Sequence, residues 1–176
     1  MTNAELAILS LVGEHPCHGY EIEQVISERG MRDWTEIGFS SIYYLLNKLE
    51  KTGLVKSMLE KKEGRGPARK VYTITAAGRF TQVEASIQAL SQPGRCYPSF
   101  LLGVANFPLF PPTQIAGALR QYLTELTARR KQIFLRMEEQ RPLPDHVEVM
   151  FDYSLTMVEA EIGWLMKTLK KMESCG

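Results

Sequence analysis

Apolar residues recur along this chain first at helical spacing, then briefly at period two, then at helical spacing again over two long stretches. Leu6, Leu9 and Val12 lie three apart, with Ile8 and Leu11 widening the stripe, which predicts an opening helix. Thr2-Asn3-Ala4-Glu5 has the T-x-x-E form of a capping box at its start. Gly13 and Pro16 are the stop signals. A second helix is predicted from near Gly19, through Tyr20, Ile22, Val25 and Ile26, to a stop at Gly30. Trp34 and Ile37 fall in a short connection. A third helix is predicted from about Ser40. Ile42, Leu45, Leu46 and Leu49 fall at i, i+3, i+4 and i+7 and form its buried face. Ser41, Tyr44, Lys48 and Lys51 lie opposite, flanked by Ser40, Tyr43 and Asn47, and Gly53 ends the helix.

The period then changes. Leu54-Val55 leads into one strand, and Val71, Thr73 and Thr75 alternate with Tyr72 and Ile74 in another. Between them Gly64-Arg65-Gly66-Pro67-Ala68-Arg69 has the composition of a turn. Thr75 is placed to cap a fourth helix through Phe80, Val83, Ile87 and Leu90. A helix followed by a basic hairpin is the DNA-reading half of a winged helix-turn-helix. Residues 1–90 are therefore read as that domain, within a mainly α (α+β) fold.

Residues 91–112 form an apolar, proline-containing connector, because Pro93, Pro98, Pro108, Pro111 and Pro112 interrupt any single helix. A short packed helix is expected around Phe100–Asn106. Residues 113–176 read as an α-helical dimerisation and regulatory domain. Ile115, Leu119, Tyr122, Leu126, Ile133 and Met137 mark one long helix. After Arg141-Pro142-Leu143-Pro144, Phe151, Leu155, Val158, Ile162, Leu165 and Leu169 give close to three heptads of apolar seam, the candidate dimerisation surface. The turn between the two helices predicts an antiparallel pair.

The formal net charge of +1 hides an asymmetry. Residues 1–39 carry two basic against seven acidic side chains, a net −5; residues 40–80 carry nine against three, a net +6. Positive charge therefore concentrates on the helix and hairpin, as a polyanion-binding face requires. No apolar run approaches the roughly 20 residues that span a bilayer, and the N-terminus lacks the basic region of a secretory signal. Three widely spaced cysteines, Cys17, Cys96 and Cys175, suggest no disulfide framework, so a cytoplasmic setting is expected.

Four blocks of residues, in order, carry a family resemblance. They are His18-Gly19-Tyr20-Glu21-Ile22, the run from Ser41 to Glu50, Gly53-Leu54-Val55, and Gly66 to Thr75 with Gly78. The segment from Leu6 to Gly78 resembles the DNA-binding domain of the PadR family of transcriptional regulators. The resemblance implies a winged helix-turn-helix and a dimer that represses transcription. It also implies dimerisation through a C-terminal helical domain, and in some members release by a small, often aromatic, effector.

The candidate DNA-binding residues are Ser40, Ser41, Tyr43, Tyr44 and Asn47, which would face bases or phosphates from the start of the third helix. Lys48 and Lys51 would sit near a phosphate strand. Lys61, Lys62, Arg65, Arg69 and Lys70 would bring the wing to the adjacent backbone. The competing readings are capping for the two serines, a half-buried aromatic for Tyr43 and plain solvation for the lysines. Tyr20 and Ile22 read as scaffold. Tyr97, Phe100, Phe107, Tyr122 and Trp164 are candidates for lining an effector pocket, against the alternative that they pack an interdomain joint. His15-Pro16-Cys17-His18 offers three metal-ligating side chains but no second cluster, so a structural turn is the better reading and no metal or cofactor is assigned. No catalytic constellation is visible, so an enzyme is not expected. The partners expected are near-palindromic double-stranded DNA, a second copy of the chain and, in the effector reading, a small molecule. The rival is a winged-helix module that binds protein without binding DNA.

Overall fold

A computed structural model describes residues 1–35, 37–38, 41–60, 69–94 and 98–174. The order is α1 (Asn3–Glu14), β1 (Cys17–His18), α2 (Gly19–Glu28), a 3-10 turn (Met31–Asp33), α3 (Ser41–Lys51), β2 (Val55–Glu60) and β3 (Arg69–Ile74). These are followed by α4 (Ala76–Ser91), α5 (Ser99–Ala105), a second 3-10 turn (Phe107–Leu109), α6 (Pro112–Glu139) and α7 (Asp145–Ser174). The expected mainly helical fold with a small wing sheet is the one found. The chain divides into two compact units, Met1–Arg95 and Cys96–Gly176.

In the first unit the local signals act much as their chemistry dictates. Thr2 Oγ1 accepts the Glu5 amide at 3.2 Å and Glu5 Oε2 accepts the Thr2 amide at 2.8 Å, closing the capping box. Gly30 and Gly53 end α2 and α3 at φ 59° and 73°, in left-handed backbone that a side chain disfavours. Gly13 departs from expectation. α1 runs through it to Glu14, and a Cβ at Gly13 would meet Gln82 Oε1 of α4 at 2.9 Å. This glycine provides room for a neighbouring helix and does not end its own. Gly78 is more constrained still, since a Cβ there would fall 2.0 Å from the Leu54 carbonyl oxygen just before β2.

The sheet has a third strand that period-two reading overlooks. His15-Pro16-Cys17-His18, expected as a turn, carries β1. It pairs antiparallel to β3 with Cys17 opposite Tyr72 and His18 opposite Val71. β2 pairs on the other side of β3, from Val55 opposite Ile74 to Glu60 opposite Arg69. Two residues are too few to show an alternation, so only the tertiary pairing reveals this strand. Below the sheet, Ile8, Leu9, Ile22, Ile26, Ile42, Leu46, Leu49 and Val55 are fully buried in one core.

The second unit has a narrower core. α6 and α7 pack against each other through buried Leu119 and Leu126 on one helix and Val158, Leu165 and Leu169 on the other. Phe100 of α5 and Phe107 pack against this seam. The short helix expected around Phe100–Asn106 thus exists, one residue earlier, as Ser99–Ala105. No helix among the described residues is long and apolar enough to cross a membrane.

Candidate nucleic-acid interface

α3 separates apolar from polar residues along its length. Ile42, Leu45, Leu46 and Leu49 are buried, which fixes the helix's rotation against the core. That rotation turns Tyr43 and Tyr44 outward at 56% and 66% exposure, together with exposed Asn47, Lys48 and Lys51. Two aromatic rings this open cost free energy in water unless something covers them. Ser41 is half-buried, and its hydroxyl donates to the Gly38 carbonyl at 2.5 Å. Its proton therefore serves the turn before the helix. Ser40, Lys61, Lys62 and Arg65 lie outside the described residues.

Two of the expected phosphate-binding lysines have carboxylate partners instead. Lys48 Nζ is hydrogen-bonded to Glu5 Oε1. Glu5 is itself buried, at 7% exposure. The Lys48 hydrogen bond, helped by the Thr2 amide, holds the Glu5 carboxyl below its ordinary range, and the same contact raises the Lys48 ammonium. Lys70 Nζ lies 3.2 Å from Glu50 Oε2. Glu50 also accepts the Ser57 hydroxyl, and these contacts, Ser57 first, lower its carboxyl. Both pairs link α3 to another element, so these lysines hold the helix as well as contributing charge. Nothing in the sequence marks Glu5 as the partner of Lys48, 43 positions away. Lys51 has no carboxylate partner among the described residues.

The base of the wing brings together Arg69, expected at DNA, Tyr20, read as scaffold, and His18, read as part of a turn. Arg69 opens β3, and its guanidinium carbon stands 5.3 Å from the centroid of the Tyr20 ring. Tyr20 in turn stacks on His18, with centroids 5.4 Å apart and planes 14° from parallel. Cys17, expected as an inert member of a turn, is buried, and burial first, then Glu21 and Glu14, pushes its thiol up to about 11.

In the second unit, Val158, Leu165 and Leu169 of the expected dimerisation seam are buried against α6 of the same chain, with Ile162 packed beside them. Phe151 and Leu155 are half-buried. The aromatic set also gathers within this unit. Phe100 stacks on Tyr122, with centroids 4.8 Å apart and planes at 17°, and meets Trp164 edge-on at 5.6 Å. The Tyr122 hydroxyl donates to Glu161 Oε1 at 2.6 Å. Desolvation first, then that bond, pushes the phenol up to about 12. These rings fill one another's contacts; Tyr97 lies outside the described residues. An open depression of about 600 Å³ lies elsewhere on α6, lined by Leu123, Thr127, Arg130 and Phe134 among others.

A core built on α1 and α2, an α3 with an outward polar face and the paired strands β2 and β3 define a winged helix-turn-helix domain. Residues 8–84 match the model of the transcriptional regulator PadR-like family, and this segment belongs to that family. No curated protein matches the chain by sequence. Among solved structures, Bacillus subtilis PadR in complex with operator DNA is 19% identical, with 96% of this chain and 98% of that one covered at a TM-score of 0.80. The same protein in complex with p-coumaric acid gives 19%, 96%, 98% and 0.79. The Vibrio cholerae virulence activator AphA is 18% identical, with 99% of this chain and 100% of that one covered at 0.77. At such identities the likeness is one of fold.

Proposed function

We propose that this protein is a cytoplasmic, homodimeric repressor that reads a near-palindromic operator through α3 and grips the flanking backbone with its wing. The observation that carries this is the segregation on α3. Four apolar residues fix its rotation, and Tyr43, Tyr44, Asn47 and Lys51 are left outward on a helix of the size that enters a major groove. Two copies related by a twofold would place their α3 helices in successive major grooves, about 34–36 Å apart. Arg65 and Arg69 supply phosphate contacts in this reading, and Lys61 and Lys62 add electrostatic attraction. Each contact contributes about one unit to the log–log salt dependence of binding.

Self-association is assigned to the second unit, on a surface other than the seam that sequence suggested. With Val158, Leu165 and Leu169 used within the chain, α7 still exposes Met150, Tyr153, Met157 and Trp164, spaced three, four and seven apart. α7 begins acidic, with Asp145, Glu148 and Asp152, and ends basic, with Lys167, Lys170 and Lys171. An antiparallel second copy would set each acidic end against a basic one. Effector control is proposed by extension from the B. subtilis protein of similar fold, whose complex with p-coumaric acid is known. The ring cluster of Phe100, Tyr122 and Trp164 would open to admit such a molecule.

The test is fluorescence anisotropy with a duplex taken from upstream of the protein's own coding region, across a salt series. Wild type should bind with a steep salt dependence, and Arg65→Ala/Arg69→Ala should lower both affinity and slope. Binding that ignores salt and the double substitution would favour the protein-binding module over the repressor.

A further inference from the structure

We infer that His18-Gly19-Tyr20, the three residues that open α2, form a positioning platform that sets recognition helix and wing at the spacing DNA requires. The inference rests on the DNA-binding reading above and adds residues that reading leaves in the scaffold. The segment touches both DNA-facing elements at once, each through a different physical device.

Towards the recognition helix the device is an absence. Gly19 is buried, and a Cβ built on it would lie 2.6 Å from Tyr43 Cε1 and 3.1 Å from Cζ. The Tyr43 ring therefore lies directly over the glycine backbone. A methyl group there meets a side chain, which can swing, and not a backbone, which cannot. Alanine at position 19 should thus leave the fold in place and move the ring.

Towards the wing the device is a stack and a clamp. The His18 ring donates from Nδ1 to the Lys70 carbonyl of β3 at 2.9 Å, while its Nε2 lies 3.4 Å from Glu60 Oε2 at the end of β2. One imidazole thus touches both wing strands at the end nearest the tip. Tyr20 stacks on that ring and also carries the Arg69 guanidinium, 5.3 Å from its ring centroid. A cation over an aromatic face is attracted to it and loses rotamer freedom. Glu21 holds the arrangement from behind. Its Oε2 accepts the His18 amide at 2.6 Å, and its Oε1 accepts the Tyr20 hydroxyl at 3.3 Å. β1 pairing ties the whole segment to β3.

Full-length variants separate this role from a merely structural one. Two duplexes serve as probes: the upstream fragment and a scrambled duplex of equal length, each titrated over a salt series, with thermal melting of each variant alongside. Gly19→Ala should melt as wild type does yet cut the preference for the upstream duplex by about tenfold, the scale of one lost base contact. The double variant Gly19→Ala/Tyr43→Ala should bind no worse than Tyr43→Ala alone, because the clash has no ring to displace. Tyr20→Ala should lower the salt slope by about one, as Arg69→Ala does, with no further loss in the double variant. Tyr20→Phe should keep the wild-type slope. If wild type binds with preference and salt dependence but Gly19→Ala and Tyr20→Ala bind indistinguishably from it, the platform is overturned and the DNA reading stands. The platform also falls if the substitutions combine additively. Absent or salt-insensitive binding by wild type sinks the DNA reading itself.

Discussion

The two units differ in how they enclose their cores. In the first, α1, α2, α3 and the sheet enclose one core, where Ile8, Leu9, Ile22, Ile26, Ile42, Leu46 and Leu49 lose nearly all contact with water, while α4 keeps Phe80, Val83, Ile87 and Leu90 exposed. In the second, two long helices meet along one seam, and among its described residues only Leu165 is fully enclosed. A helix has room for a second stripe opposite the first, and α7 has one in Met150, Tyr153, Met157 and Trp164. The lesson is architectural. The enclosed core of the first unit can hold a DNA-reading surface rigid, whereas α4 of that unit and α7 of the second each leave an apolar row that association can cover.

The largest effect should come from the core of the first unit. Leu46→Ala removes a fully buried side chain and should cost about 2–5 kcal/mol, read as a drop in the denaturant midpoint. Leu165→Ala should fall at the low end of that range, since a two-helix seam can close on the gap; an equal or larger loss would break the contrast between the units. Next is Met157→Glu on the outer stripe of α7. It should weaken self-association at least tenfold, about 1.4 kcal/mol, in sedimentation, while leaving the melting of the first unit unchanged. A dimer of unaltered strength would move the interface elsewhere. Tyr122→Phe keeps the ring stacked on Phe100 but removes the bond to Glu161, and should cost about 1 kcal/mol in chemical denaturation.

The smallest effect sharpens the comparison through pH. Glu5, Glu14 and Glu50, all in the first unit, have carboxyls held below the ordinary value of 4.5 by Lys48, Arg29 and Ser57 respectively. A depressed folded value means that the unfolded chain takes up protons first. The stability from these contacts is therefore present above the unfolded value and is lost as pH falls through the folded one. Thermal scans at about pH 5 and about pH 3 should show the loss in the first unit, and Glu5→Gln should reduce it. A flat acid limb in wild type would mean that these pairs contribute nothing.

Much of the first unit was legible because its signals are local. A capping box at Thr2 and Glu5, glycines at positions 30 and 53, and the spacing from Ile42 to Leu49 each depend on neighbours within one or two turns. The same periodicity that buried four residues of α3 also turned Tyr43, Tyr44 and Asn47 outward. The seam of α7 was legible too, but not its partner. Val158, Leu165 and Leu169 would look the same facing α6 or facing a second chain.

Sequence by itself thus determined the helices, the wing strands and the basic character of residues 40–80, since each follows from residue type and spacing. Tertiary structure alone decided which charges remain available. It set Glu5 against Lys48 and Glu50 against Lys70, laid Tyr43 over Gly19, and stacked Arg69 on Tyr20 and Tyr20 on His18. Most of these contacts join residues 20 or more positions apart, where periodicity carries no information and only the closing of the core brings the side chains within reach.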